Sequence, residues 1–111
     1  MGVDQDLVRR IRGLIALDPR VTEKKVFGGI AFLLDGRILV SARRTGSLLV
    51  QCGADAAAAA IATPGVTRMV MAGKESASFI DVEAEHLDTD DDLRRWIDLG
   101  ERYLSRLPPK A

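Results

Sequence analysis

The stretch VFGGIAFLLDGRILVSARRTGSLLVQC, residues 26–52, decides the fold. Val26 to Leu34 and Arg37 to Ala42 are apolar, partly β-branched runs parted by Asp35-Gly36. That dipeptide suits a two-residue type I′ hairpin, whose central residues both need positive φ. Arg43-Arg44-Thr45-Gly46 reads as a second turn, and Ser47 to Cys52 as a third strand. Three strands joined by short turns make an antiparallel meander.

Outward from the meander, the chain alternates between helix and strand signals. On its N-terminal side Asp4 can cap a helix, and Leu7, Ile11, Leu14 and Ile15 follow at helical spacing. Asp18-Pro19 closes that helix, because the residue before proline is pushed out of the helical region. Thr22 to Lys25 then reads as a charged link. On the C-terminal side, Ala54 to Ala62 is alanine-rich and favours helix until Pro64-Gly65 stops it. Val66 to Ala72 and Ala77 to Val82 suggest a second hairpin around Gly73-Lys74. Thr89 or a neighbouring aspartate can cap a last helix, which carries Leu93, Trp96, Ile97, Gly100, Tyr103, Leu104 and Leu107 on one face before Pro108-Pro109. The fold class expected is α+β: an antiparallel sheet of about five strands with helices at the N-terminus, middle and C-terminus.

At 111 residues the chain fits one domain, taken as residues 1–111. One cysteine, Cys52, leaves no internal disulfide and no multi-cysteine zinc site. No signal-peptide pattern and no apolar run of spanning length are present, so a cytoplasmic protein without membrane contact is expected. The 16 basic and 16 acidic residues cancel, whereas autonomous DNA binders usually carry a basic excess. The charge is unevenly spread, with nine Lys/Arg against five Asp/Glu up to Cys52 and seven against eleven beyond it.

Each feature that hints at chemistry also has a structural reading. Phe27-Gly28-Gly29 could form a backbone nest for an anion or a close-approach surface. A bulge or a tight lead into a strand uses the same glycines, and no Gly-Lys-Ser/Thr follows to complete a phosphate loop. The acidic stretch Asp81, Glu83, Glu85, Asp88, Asp90, Asp91 and Asp92 lacks the alternation and terminal glutamate of a calcium loop and suits a helix N-terminus. His86 is the only histidine and has no nucleophile placed beside it by sequence; a surface position is expected. Cys52 ends an apolar strand and reads as a buried, inert thiol. Arg43-Arg44 with Arg37 lack interleaved aromatics for nucleic-acid stacking. Gly100 lets another backbone approach its helix, from the same chain or from a second protomer, so a homodimer stays open.

Lys24-Lys25-Val26-Phe27-Gly28-Gly29, followed by Phe32 and Gly36, resembles the signature of TfoX/Sxy N-terminal domains, where Phe-Gly-Gly precedes a strand and hairpin. Leu48 to Cys52, Pro64-Gly65-Val66, Met69, Gly73-Lys74, Leu93, Trp96, Tyr103 and Leu107-Pro108 with Lys110 continue it in order. Two positions depart from the family pattern: Ile38 stands where a methionine is frequent, and Gln51 where an arginine is. The resemblance implies a stand-alone N-terminal-type domain with no C-terminal TfoX domain. It also implies a non-catalytic regulatory module, since family members in competent bacteria control transcription of DNA-uptake genes alongside a cyclic-AMP receptor-type activator. The partner expected is a protein, by analogy part of the transcription machinery, with no direct sequence-specific DNA binding, no cofactor and no metal. Phe27, Gly28, Gly29, Phe32 and Gly36 form the motif expected to matter for interaction or structure. The alternative is a small-molecule binder or enzyme with a pocket near Phe27-Gly28-Gly29.

Overall fold

The computed structural model describes residues 5–26 and 28–108. Its elements are α1 (Gln5–Ile15), β1 (Val21–Val26), β2 (Gly29–Leu34), β3 (Arg37–Ala42), β4 (Leu48–Gln51), α2 (Ala54–Ala60), β5 (Val66–Met71), β6 (Lys74–Val82) and α3 (Asp90–Leu104), with a 3-10 turn at Ala84–Leu87. The strands form one antiparallel sheet in the order β1-β2-β3-β4-β6-β5. The α+β class holds, with three helices where the sequence places them.

The sheet has one strand more than the pattern suggests. Thr22 to Lys25 is not a link but the body of β1, paired from Val21↔Leu34 to Val26↔Gly29. Consequently Val26 closes β1, and the long first run of the meander is cut into two strands. The Asp35-Gly36 turn is type I′ as expected, with φ of 52° and 84°. The second hairpin turns one residue earlier than expected, at Ala72-Gly73, where both residues have positive φ.

The sheet's two faces differ. Residues paired across strands share a face, so Phe32, Val40, Val50 and Ile80 line up along one side, and all four are fully buried. The helices cover this side. α1 buries Leu7, Val8, Ile11 and Ile15, and α3 buries Leu93, Ile97, Gly100 and Leu104. Gly100 answers the question of whose backbone approaches it. A methyl there would lie 2.8 Å from Leu39 Cδ1 and 3.2 Å from the Gln51 carbonyl oxygen, so the missing side chain seats α3 on β3 and β4 of the same chain. Polar ties hold the helices in register. Arg10 donates to Asp90 at 3.1 Å and to the Leu87 carbonyl at 2.6 Å. Thr89 caps α3 by accepting from the Asp92 N–H at 3.0 Å.

The other face carries no helix among the described residues, yet it is not simply wet. Ala31, Ser41 and Leu49 lie on it and are buried. The sheet curls, so that Val26 at one edge and Met69 and Met71 at the other border a common space. Pairing shifts help this curl. One falls where Phe32↔Val40 is followed by Leu33↔Ile38, and another lies between Arg68 and Val70. No helix among the described residues is long and apolar enough to cross a membrane.

Candidate binding site

The motif anticipated from sequence proves to be a hinge of the sheet. Val26, the last residue of β1, pairs with Gly29, the first of β2. Phe27 lies outside the described residues. Gly28 has φ of 75°, and a side chain there would meet only the Arg44 side chain, at 3.9 Å. Gly29 is different: a methyl group would collide with the Ala42 carbonyl oxygen and come within 3.3 Å of Arg43 Cα. Its missing side chain lets β2 start directly against the end of β3. Phe32 is wholly buried under the helices, and Gly36 completes the type I′ turn. These residues form a structural frame rather than one surface.

Other candidates resolve in a similar way. Burial pushes the Cys52 thiol up to about 11, so little thiolate exists near neutrality. His86 is half-buried instead of lying free on the surface. Its Nε2 contacts the Pro64 carbonyl oxygen, and its ring fills the space where a Gly65 side chain would lie, 2.7 Å from that Cβ position. Its own carbonyl accepts from Trp96 Nε1 at 3.3 Å, so the histidine staples the α2–β5 connection to α3. The acidic stretch splits between β6, the 3-10 turn and the start of α3. A hydrogen bond with Glu85 raises the Glu83 carboxyl above the ordinary range. Among the described residues no cluster of three or more His, Cys, Asp or Glu could hold a metal. Arg43, at the β3–β4 turn, is bound to Asp81 at 2.6 Å.

Two features of the sheet were not singled out from the sequence. The first is a cavity of about 240 Å³ on the concave face, lined by Val26, Ile38, Ser41, Leu49, Met69, Met71 and Phe79. Ser41 turns its hydroxyl to the Ile30 carbonyl at 3.4 Å, leaving the lining almost wholly apolar. Such a space offers shape and apolar contact but no acid, base or nucleophile. A signal for it existed: the β2–β4 runs are apolar at consecutive positions, as expected of strands buried on both faces.

The second is the outer strand β5, paired with β6 alone. Val70 is 61% exposed and Met71 42% exposed on this edge, where charge or proline would ordinarily blunt association. Val66 anchors the strand's start in the core.

Comparison with known proteins adds one assignment. No curated protein and no solved structure matches the chain significantly. The family pattern described as the TfoX N-terminal domain matches residues 14–103, taking in everything from the end of α1 to the last turn of α3. The chain belongs to the TfoX N-terminal domain family.

Proposed function

We propose that this chain is a non-catalytic regulatory module that works by binding another protein along the β5 edge of its sheet. One observation carries the reading: β5 is an outer strand on which Val70 and Met71 are exposed at adjacent positions, with Arg68 the single charged residue of the strand itself. An exposed sheet edge offers main-chain hydrogen bonds to an added strand, and flanking apolar side chains give that pairing selectivity. The family's association with control of DNA-uptake genes points to the transcription machinery as the source of the partner. Sequence-selective DNA binding by the isolated domain is not part of this reading, given the zero net charge. Affinity capture from the native cell with wild-type protein and with Val70→Lys tests it. A specific protein should be retained by the wild type and lost with the variant at an unchanged melting temperature. Equal retention by both would remove β5 from the account.

A second reading has its own support. The cavity bordered by both sheet edges is lined almost wholly by apolar side chains, as small-molecule sites mostly are, and Val26, which lines it, pairs with Gly29. Saturable uptake of a small apolar ligand by the purified chain is the outcome this reading requires.

A further inference from the structure

The apolar cavity continues into a cationic space. Val26, Ile38 and Phe79 also line an adjoining cleft of about 430 Å³ that takes in Lys24, Arg37 and Gln51. No acidic residue lines either space among the described residues. Lys24 and Arg37, like the exposed Lys25 and Arg44, are in no ion pair among the described residues. An apolar chamber therefore opens beside two cations whose charge the chain itself leaves uncompensated.

We infer that this is a site for a short amphipathic carboxylate, a medium-chain carboxylic acid whose tail enters the cavity and whose head meets Arg37 and Lys24. The inference rests on the small-molecule reading given above. Size supports it, since the cavity of about 240 Å³ exceeds the roughly 150 Å³ at which a dry apolar cavity already accepts a benzene ring. Met69 and Met71 suit an unbranched tail, because the flexible, polarisable thioether packs against varied shapes. The head-group choice follows from charge and shape. A guanidinium presents parallel N–H donors that match a carboxylate, and the Lys24 ammonium adds a second positive charge. An amine head would face like charges here, and an alcohol would forgo the attraction.

Calorimetric titration of the full chain at neutral pH with octanoate, 1-octanol, octylamine and acetate tests the inference. Octanoate should bind saturably, octanol about tenfold more weakly or less, and octylamine and acetate not measurably. Arg37→Gln and Lys24→Gln should each reduce octanoate affinity several-fold and leave octanol unchanged. Filling the chamber with Ile38→Trp should abolish binding of both. Met71→Trp does the same from the exposed rim and serves if the first variant fails to fold. Octanol binding as tightly as octanoate would overturn the carboxylate assignment while leaving the small-molecule reading intact. No saturable binding of either would sink both. Octanoate binding that survives both tryptophan variants would show that the acid sits elsewhere.

Discussion

The two outer strands of the sheet are protected to different degrees. β1 reads Val-Thr-Glu-Lys-Lys-Val, with its four middle residues exposed and three of them charged. β5 reads Val-Thr-Arg-Met-Val-Met, with a single charge at Arg68 and apolar side chains through the end that meets the turn. Charged residues on an edge strand oppose the addition of another strand, because pairing would strip water from them. β1 is also tied down from the helix side, where Arg12 of α1 grips Glu23 through two hydrogen bonds of 2.8 Å. Among the described residues no ion pair holds β5 in a comparable way. The contrast teaches that one edge of this sheet is closed by its chemistry, while the other is left able to pair.

The largest effect expected concerns how β1 is fixed. Gly29→Ala forces a methyl into the Ala42 carbonyl oxygen, and backbone at that point has little freedom to retreat. Overpacking of this kind costs on the order of 3 kcal/mol, a large part of a small domain's margin. At about 4 °C or more for each kcal/mol, the melting temperature should fall by roughly 10 °C or beyond. Gly28→Ala makes only ordinary contact with the Arg44 side chain and adds the strain of a left-handed residue, about 1 kcal/mol. Thermal melts of the two variants rank these costs. Equal melting temperatures would show that the approach of β2 to β3 does not constrain this hairpin.

A second test removes the charge that distinguishes the edges. Lys24→Val together with Lys25→Val gives β1 an apolar edge like that of β5. The double variant should show concentration-dependent association by sedimentation under conditions where the wild type does not. An unchanged sedimentation profile would mean that the lysines do not guard β1.

The smallest effect expected is acid sensitivity confined to β1. Hydrogen bonds and charge from Arg12 hold the Glu23 carboxyl below the ordinary glutamate range. A depressed folded-state value stabilises the fold in full above the ordinary glutamate value, and that contribution is lost as pH falls through the folded value. The pair is largely solvated, so its contribution is small. Protection of the β1 amides, relative to their intrinsic exchange rate at each pH, should therefore fall below about pH 4.5, and Glu23→Gln should show the lower protection already at neutral pH. Equal acid response in β1 and β5 would detach the clasp from the edge contrast.

Much of this architecture was legible because each signal was local. Asp35-Gly36 announces its turn type, Thr89 its cap, and the spacing from Leu93 to Leu104 its buried face. β1 was hidden for the same reason that it is guarded. A charged outer strand has no apolar alternation to read, and its partner run begins with glycines whose role depends on the distant Ala42 carbonyl. The concave cavity was less visible still. Leu49, Phe79 and Met69 meet because β4, β6 and β5 are neighbours, an order the sequence does not show, and the pairing shifts beside Leu33 and between Arg68 and Val70 leave no mark in composition. His86 gives the same lesson, since its partner Pro64 is 22 residues away.

The most direct test of the edge contrast is site-specific photo-crosslinking in the native cell, with the reactive group placed at Val70 on β5 or at Thr22 on β1. Both side chains are exposed, so the reagent reaches solvent equally from each. A discrete adduct with another protein from Val70, and none from Thr22, is the result expected. An adduct from Thr22 alone, or the same adduct from both positions, would contradict the assignment of β5 as the edge that binds.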